Sequence, residues 1–571
     1  MTLKTIAKLM FSGHRVTIVV ILCLFGICLS QSGYSQKKRK QSAKTDDNRV
    51  YLVHSNTLSF DQRKNPDAQI LCGNVEFFHQ GAKLFCDSAH FYEGTNSFEA
   101  FGNVKMYQGD TLSLFSDYAF YDGNEQMAMS RYNVVLKHRE STLYTDSLNY
   151  DRLYSVGYFF EGGRLVDKDA TLTADWGEYN TGTKMAAFHY NVVLRDDKFN
   201  LISDTLYYNT SLSEAHVVGA SEITSGKSNI YSDDGFYNTQ TERARLFNRS
   251  VVKNEGKIII ADTIYHDAKL KTSEALWNVE YTDTVNKNVM TCDYCWYDDS
   301  VGYAMATKKA VAIDYSQGDS LYMHADTFKL YTYNINTDSV YRTVHAYNKV
   351  RAYRTDVQAV CDSLVFISKD SCMTMYRDPI VWNYSQQLLG ETIKIYMKDS
   401  TIERAHVIEQ ALSVEQQQTD TTRYNQVASK EMLAYFEKGE IVRADAVDNV
   451  QVIYFIIDDS DSSFIAQNNL ETTELKLFME NRKMKRMWAP KSEGVMYPMS
   501  QIPPEKKFLD SFAWFDYVRP LNKDDIFVWR GKKGKSTSDD NNVKRRKAPL
   551  QQLGDKKGKS PDLAPAINKL K

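Results

Sequence analysis

Residues 201–209 read "LISDTLYYN", in which Asp204 stands among apolar residues at alternating positions. The same pattern recurs along the chain, and the equivalent acids are spaced by 29 or 30 residues. These marker acids are Asp87, Asp117, Asp146, Asp175, Asp204, Asp233 and Asp262, followed less regularly by Asp293, Asp326, Asp362, Glu391 and Glu431. A fixed period of this length is typical of a stacked repeat architecture. Strand patterns separated by short polar turns predict that each repeat is all-β.

The apolar residues of each repeat change phase at the marker acid. Leu201 and Ser203 precede Asp204 on one face, whereas Leu206 and Tyr208 follow it two and four places on. Because strand side chains alternate between faces, burying all of them requires a bulge or a sharp bend at the acid. We expect the carboxylates to accept backbone N–H groups freed there. Stacked bends predict a crease along the sheet, which therefore folds into a trough.

The marker acids are interpreted as structural bend residues. Catalysis by paired carboxylates needs one pair in two different environments, whereas the same acid recurs in every repeat. His266 stands where other repeats have Tyr, so we interpret it as a packing residue. The sequence shows no phosphate-binding loop. We therefore expect no enzyme activity, no cofactor and no metal site.

The cysteines admit two interpretations. Cys86, Cys292 and Cys361 each precede a marker acid, where other repeats have a small residue, so burial as a small apolar side chain is the simpler one. Export would permit a disulfide, and Cys72 with Cys86 is the pair that we favour. The "CDYC" at 292–295 has redox-motif spacing, but residues i and i+3 face opposite sides of a regular strand. A lone C-x-x-C is also weak evidence for zinc.

The two ends of the chain differ from the repeats. Basic residues precede an apolar run from Val16 to Leu29, the layout of a secretory signal. We expect residues 1–35 to be a signal peptide, with an uncleaved anchor as the alternative, and residues 36–49 to be a basic linker. Residues 531–571 contain 12 Lys and Arg against 4 Asp, which predicts a disordered basic tail. Aromatic residues are missing among these charges, which argues against nucleic-acid binding.

The repeats resemble the OstA-like family, the LptA-like periplasmic domains of lipopolysaccharide export. The resemblance rests on "GNV" at 73–75 and 102–104 and on "SDTLYY" at 203–208, and it extends over residues 50–490. It implies a V-shaped antiparallel β-jelly roll whose apolar interior holds the acyl chains of lipopolysaccharide or a similar lipid. It also implies that sheet edges join the chain to other lipopolysaccharide transport proteins or to copies of itself.

In the implied fold, the large apolar residues beside the marker acids line the interior. These lipid-lining candidates are Leu84, Leu114, Leu143, Leu172, Leu201, Leu206, Tyr208, Ile230 and Ile259. A closed core formed by the same residues is the alternative.

The repeats are regular over residues 50–300 and irregular over 301–490, so two consecutive jelly-roll subdomains are an alternative to one. Residues 491–530 are rich in aromatics, and Phe508, Phe512 and Phe515 have the spacing of one helix face. We expect this segment to cap the open end of the roll or to dock on a partner or membrane.

The sequence therefore predicts an exported periplasmic protein, associated with the outer membrane, that acts as a lipopolysaccharide-binding bridge or accessory protein. A structural or cell-surface β-repeat protein with a dry core and no lipid cargo is the alternative.

Overall fold

The computed structural model describes residues 48–60, 63, 66–316, 318–398, 401–437, 440–458, 460–480, 483–531 and 536–538. The predicted signal peptide, most of the basic linker and most of the basic tail lie outside these residues. The described chain is built from antiparallel β-strands and contains no α-helix. The predicted all-β class is thus confirmed. No helix in the described part has the length and hydropathy needed to span a membrane.

Forty strands form one continuous sheet, and two further strands form a small separate pair. The first sixteen strands are β1 Tyr51–His54, β2 Thr57–Phe60, β3 Gln69–His79, β4 Ala82–Tyr92, β5 Ser97–Gln108, β6 Leu112–Asp122, β7 Met127–His138, β8 Ser141–Asp151, β9 Val156–Phe159, β10 Gly163–Asp167, β11 Ala170–Ala174, β12 Trp176–Asn180, β13 Met185–Asp196, β14 Phe199–Asn209, β15 Glu214–Ser225 and β16 Ser228–Asn238.

The next eighteen are β17 Arg243–Phe247, β18 Ser250–Asn254, β19 Lys257–Ala261, β20 Thr263–Asp267, β21 Thr272–Asp283, β22 Asn288–Asp298, β23 Tyr303–Thr307, β24 Val311–Asp314, β25 Leu321–His324, β26 Thr327–Tyr333, β27 Tyr341–Tyr347, β28 Val350–Tyr353, β29 Val357–Cys361, β30 Ser363–Ile367, β31 Cys372–Tyr376, β32 Ile380–Asn383, β33 Gln386–Leu389 and β34 Thr392–Lys398.

The last strands are β35 Thr401–Gln416, β36 Tyr424–Glu437, β37 Glu440–Ile457, β38 Phe464–Glu480, β39 Lys483–Trp488, β40 Glu493–Pro498, β41 Val528–Arg530 and β42 Ser536–Ser538. Short 3-10 helices lie at Glu93–Thr95, Met499–Gln501, Pro504–Lys506, Asp516–Val518 and Asp525–Phe527.

Long strands are joined by tight hairpins and pair in chain order, whereas strands that are split at the crease pair as separate halves, such as β9 with β12 and β10 with β11. The β3–β4 hairpin, for example, turns through Gln80 and Gly81, whose φ angles are +45° and +79°. Two successive positive φ angles match the right-handed twist of the paired strands. Hairpins of this kind alternate between the two ends of the strands, so the chain meanders along the sheet.

A crease divides the sheet lengthwise into two layers. We call the layer that contains the residues before each marker acid wall A, and the layer that contains the residues after it wall B. A long strand such as β14 crosses from wall A to wall B at its marker acid, whereas in other repeats the two parts are separate strands, such as β11 and β12. The edges of the two walls farthest from the crease are called the mouth.

The buried residues between the walls form two main clusters. The first runs from Val50 to Ile223, and the second runs from Ala244 to Leu475. Ile230 and Tyr237 pack against both clusters. The core thus divides near residue 230, earlier in the chain than the change in repeat spacing. We call residues 50–225 the closed half and residues 228–498 the open half, for reasons given below.

Candidate functional site

The crease is built from two consecutive left-handed residues opposite the marker acid. The expected marker Glu431 was wrong, because it pairs with Ile408 and Lys430 faces the left-handed pair there. Positive φ angles occur at the pairs Gly73–Asn74, Gly102–Asn103, Tyr132–Asn133, Tyr190–Asn191, Asn248–Arg249, Trp277–Asn278, Lys308–Lys309, Asn348–Lys349, Arg377–Asp378, Glu409–Gln410 and Asp448–Asn449. Gly and Asn are the residues that tolerate this conformation best, which explains the "GNV" of the early repeats.

The extra residue at the crease lies in the strand that faces the acid. In the β13–β14 pair, His189 is opposite Thr205 and Val192 is opposite Ser203. Two residues of β13 therefore face the single residue Asp204, the arrangement of a β-bulge. The acid-bearing strand bends without an inserted residue. The phase change of its apolar positions therefore indicates a bulge in the strand paired with it.

The marker carboxylates accept hydrogen bonds from the bulge. In four repeats the donor is the side-chain amide of the Asn sixteen residues after the acid, at 2.8 Å for Asp87, 2.7 Å for Asp117 and 2.6 Å for Asp175 and Asp262. Asp146 accepts the backbone N–H of Asn133 at 3.4 Å. The expected backbone donors are therefore mostly replaced by side-chain amides. The signal for this pairing in the sequence was the spacing of sixteen residues from Asp to Asn, which recurs in these repeats.

Seven of the nine lipid-lining candidates are buried in the packed core of the closed half. These are Leu84, Leu114, Leu143, Leu172, Leu201, Leu206 and Tyr208, none of which is more than 5% exposed. The cavity beside Phe77, Leu84 and Met106 has a volume of about 10 Å³, the space of roughly one water. The remaining candidates, Ile230 and Ile259, lie in the open half and are partly exposed.

A row of polar contacts joins the two walls across the mouth of the closed half. His79 and the Tyr121 hydroxyl are hydrogen bonded at 2.7 Å, and Arg152 donates to the same hydroxyl at 2.6 Å. His138 and the Tyr179 hydroxyl are 2.9 Å apart. We call these contacts, together with those of Asp167, the seam. The contacts of His79 with Tyr121, His138 with Tyr179 and Asp167 with Tyr208 link the far end of wall A to the far end of wall B.

The third contact of the seam is centred on a buried acid. Asp167 accepts hydrogen bonds from Ser141 at 2.8 Å and from Tyr208 at 3.2 Å. Burial, followed by the nearby Asp167 charge, raises the pKa of Tyr208. Burial also lowers the pKa of His79, with a further contribution from the Arg152 charge. The seam therefore keeps Tyr208 protonated and favours neutral His79.

In the open half, equivalent positions become exposed as their distance from the crease increases. The third residue before the marker acid is buried in the closed half, but it is partly exposed at Ile230, Ile259, Met290, Met323, Ala359 and Leu388. Positions next to the crease, such as Ile264, Phe328 and Leu364, are buried in the open half too. The six partly exposed side chains pack against the buried core of the open half and keep part of their apolar surface exposed.

The seam tyrosine is replaced in the later repeats of the open half. The fourth residue after the marker acid is Tyr at 121, 150, 179 and 208 and still Tyr at 237 and 297, but it is Leu330, Phe366 and Ile395 in later repeats. These three side chains have no hydroxyl to bond across the mouth. They are partly exposed, as expected for residues at the edge of an open apolar surface.

Cys72 and Cys86 do not form the predicted disulfide and are free thiols in the structure. Cys72 lies in wall B opposite Ser88 and is exposed, whereas Cys86 lies in wall A on the other side of the crease and is buried. Burial raises the pKa of Cys86 to about 12, so its thiol is unreactive. Cys292 and Cys295 are also free, and both face the core, since the crease at Asp293 changes the phase between them. The assumption of a regular strand at this C-x-x-C was wrong.

The aromatic segment lies on the outer face of wall A in the open half. We call residues 504–530 the strap. Phe508, Phe512 and Phe515 do not share a helix, because the strap has no α-helix and contains only 3-10 turns and the short strand β41. Phe508 and Phe512 pack together with a ring separation of 4.5 Å. The strap crosses the strands instead of extending the trough.

Buried amides on β33, β36 and β38 hold the backbone of the strap. Gln467 donates to the carbonyl of Lys506, and Gln426 binds both the Lys507 carbonyl, at 3.2 Å, and the Leu509 N–H, at 2.9 Å. Gln387 donates to the Ala513 carbonyl at 2.9 Å and accepts the Phe515 N–H at 2.8 Å. These glutamines point outward from wall A. The sequence analysis did not identify these glutamines. Their signal was a strand near Trp382 that has the pattern of burial on both of its faces.

No group of His, Cys, Asp and Glu in the described residues has the arrangement of a metal site. The candidate site is the row of partly exposed apolar residues in the open half, from Ile230 to Leu388.

Comparison with known proteins gives one family match. Residues 47–204 match the model of a family described as OstA-like protein. No curated protein matches the chain. One solved structure similar to it is that of LptH, the LptA homologous periplasmic component of the conserved lipopolysaccharide transport device from Pseudomonas aeruginosa. The identity is 17%, the match covers 19% of this chain and 81% of that one, and the TM-score is 0.18. The family match confirms, for residues 47–204, the resemblance to OstA-like proteins that the repeats predicted.

Proposed function

We propose that this protein binds lipopolysaccharide or a similar lipid in the periplasm and acts as a bridge or accessory protein in its export. The open half holds the acyl chains between its walls. The row of partly exposed apolar residues in successive repeats, from Ile230 to Leu388, carries this proposal. Each methylene group buried there contributes about 0.8 kcal/mol. No chemical step is part of the proposal.

The closed half has a different role in this scheme. Its walls are joined by the seam and its core is packed, so Leu201 and its buried equivalents would contact lipid only after the seam opened. We propose that the closed half is a rigid support for the open half. The N-terminal apolar run exports the chain.

The sheet ends provide the proposed contacts with other transport proteins. Among the described residues, β1 and β2 pair only with β3 at one end, and β39 and β40 pair only with β38 at the other end. Each therefore has an unpaired backbone edge that can receive a strand of a neighbour. Exposed apolar residues accompany these edges, including Leu58, Phe60 and Val495.

Photo-crosslinking in cells that make lipopolysaccharide tests the lipid site. A photo-reactive residue is placed at Met323 or Leu388 on the inner surface, at Leu201 in the closed half, and at Tyr265, which is exposed on the outer face of wall B. We expect lipopolysaccharide adducts at Met323 and Leu388, fewer at Leu201 and none at Tyr265. If neither Met323 nor Leu388 captured lipid, the proposal would be rejected.

The packed core of the closed half favours a second candidate, a structural or cell-surface β-repeat protein without lipid cargo. The same experiment separates the two. A structural protein would give no lipid adduct from any inner position, and its open half would instead crosslink to protein or to nothing.

A further inference from the structure

The crease brings two cysteines of one repeat to the same side of the sheet. Cys292 stands one place before Asp293, at the end of wall A, and Cys295 stands two places after it, in wall B. Cys292 is part of the buried core of the open half, and Cys295 packs against that core. We call these two residues the crease thiols, because they face each other across the inner side of the bend.

The crease thiols are in direct contact. The thiol of Cys292 is hydrogen bonded to the sulfur of Cys295. In a regular strand, residues i and i+3 point to opposite faces, and their Cα atoms are about 10 Å apart. The bend at Asp293 therefore creates a contact that this spacing does not give in a straight strand. A disulfide needs a sulfur separation of about 2.05 Å, so its formation would narrow the bend.

The two thiols differ in exposure and in acidity. Cys292 is fully buried, whereas Cys295 is partly exposed. The hydrogen bond from Cys292 lowers the pKa of Cys295, and this effect outweighs that of burial, which raises it. The residues opposite Cys295 on its two neighbouring strands are Ala275 and Ala306. These small side chains leave the sulfur of Cys295 accessible to a soluble reagent.

Single cysteines at the crease of other repeats have a different environment. Cys86 and Cys361 occupy the position of Cys292 in their own repeats, but the residues across the bend are Ala89 and Leu364. Burial raises the pKa of Cys86 and of Cys361 to about 12. A thiol that stays protonated is a poor nucleophile. A second thiol across the bend is therefore what distinguishes the repeat of Cys292.

We propose that the crease thiols are a redox-active pair, which forms a reversible disulfide by exchange with a soluble disulfide and thereby fixes the bend between the walls. The thiolate of Cys295 attacks one sulfur of the soluble disulfide, and the first thiolate leaves. Cys292 then loses its proton to solvent and attacks the sulfur of Cys295, and the second thiolate leaves. Two electrons pass to the soluble disulfide, which is reduced to two thiols.

The disulfide acts on the angle between the two walls. At this repeat, the continuous strand β22 carries the chain from wall A into wall B. A covalent bond between the two sides of the bend resists any widening of the trough there, and reduction removes this restraint. The proposal concerns the thiols alone and does not require a lipid in the open half.

Thiol–disulfide exchange of the folded full chain tests the proposal. The protein is equilibrated with mixtures of reduced and oxidised glutathione, quenched with acid, alkylated and digested with trypsin. The tryptic peptide of residues 288–308 contains both crease thiols and no other cysteine. A disulfide between them appears as the loss of two hydrogen atoms from this peptide and as protection from alkylation. The peptides that contain Cys86 and Cys361 are the internal controls.

We expect the crease thiols to form the disulfide while Cys86 and Cys361 remain free. Because the folded bend holds the two sulfurs in contact, the equilibrium constant should be at least about tenfold higher in the folded chain than in urea. Cys292→Ser should stop at a mixed disulfide between Cys295 and glutathione, whereas Cys295→Ser should give no adduct in this peptide.

Hydrogen exchange tests the effect of the disulfide on the bend. Val279 lies opposite Cys292 on β21, directly after the bulge. Oxidation of the wild type should slow amide exchange around Val279, and dithiothreitol should restore the original rate. The same treatment should leave the exchange of Cys292→Ser unchanged, because this variant cannot form the bond.

Equal equilibrium constants in the folded chain and in urea would overturn the proposal, because the C-x-x-C spacing alone would then explain the disulfide. So would oxidation of Cys86 or Cys361 to the same extent, or a mixed disulfide on Cys292 in place of Cys295. Unchanged exchange around Val279 after oxidation would show that the bond does not fix the bend. None of these results affects the lipid adducts expected at Met323 and Leu388, so the two proposals are tested separately.

Discussion

The closed and open halves are built from the same repeat but bury it to different extents. Leu201 and Ile259 occupy the same position, three residues before a marker acid, yet Leu201 is fully buried and Ile259 is partly exposed. The crease is the same in both halves, with two left-handed residues opposite the acid. The difference lies at the mouth, where Tyr, His, Arg and Asp join the walls of the closed half. The repeat thus specifies a bent sheet, and the residues at the rim decide whether it closes.

The largest expected effect compares Leu201→Ala with Ile259→Ala. Leu201→Ala leaves a cavity in a packed core, so this substitution should lower the free energy of unfolding by about 3 kcal/mol. Ile259 already contacts solvent, so its loss should cost only about 1 kcal/mol. Hydrogen exchange of the amides in strands next to each site would measure the two effects locally. Equal losses would show that the open half is packed as tightly as the closed half.

The strap gives the next largest effect, and it concerns only the open half. Gln387 is fully buried and also accepts the indole N–H of Trp382 at 3.2 Å. Gln387→Ala should cost about 2 kcal/mol, because it leaves buried partners of the strap unsatisfied. The strap should then become sensitive to protease, whereas the closed half should not change.

The adjacent exposed residue provides the control for this experiment. Gln386→Ala removes a contact with Ser413 only and should leave the strap protected. If both variants were cleaved equally, the outward glutamines would not be what holds the strap.

The contact between the bulge and the marker acid is tested by comparing a glycine of the crease with a glycine of a hairpin turn. Gly102 has a φ of +71°, and a Cβ added there would lie 2.6 Å from Asp87 Oδ2. Gly109 has a φ of +60° in a hairpin turn, with open space around its Cβ position. Gly109→Ala should cost about 1 kcal/mol for the left-handed backbone alone. Gly102→Ala should cost more, because the marker carboxylate must also move, and urea unfolding would measure the difference.

If the two glycine variants were equally stable, the contact between bulge and acid would be loose. A matching variant, Asn103→Gly, removes the amide donor to Asp87 but keeps the backbone freedom. It should lose about 1 kcal/mol.

Much of the fold could be predicted from the sequence, because the apolar pattern of each repeat indicates where its strand bends. The phase change between Leu201 and Leu206 requires a bend at Asp204, and the crease is there. The sequence could not show which strand holds the extra residue, since a register shift belongs to a pair of strands. It also could not show that Leu201 is in a packed core, because the closing contacts are non-local. His79 bonds to Tyr121, 42 residues further on. The strap depends on contacts separated by more than 80 residues, such as Leu509 with Gln426.

The smallest expected effect tests the seam through its pH dependence. Burial lowers the pKa of His79 and His138 below the usual 6.5, with further contributions from nearby cations, Arg152 for His79 and Arg139 for His138. The unfolded chain therefore binds protons near pH 6.5 that the folded closed half does not bind. Above this pH both states are neutral at these residues. Below it, the free energy of unfolding should fall as the pH decreases, until the folded histidines also titrate.

The double variant His79→Gln/His138→Gln removes this proton linkage. Its free energy of unfolding should be lower at pH 7, because the hydrogen bonds to Tyr121 and Tyr179 are altered, but it should change less than that of the wild type between pH 7 and pH 5. Urea unfolding monitored at both pH values would measure the two slopes. If the free energy of unfolding changed equally with pH in the wild type and in the double variant, the seam histidines would become protonated in the folded state without cost. The seam would then be open to solvent, and the distinction between the two halves would rest on the packed core alone.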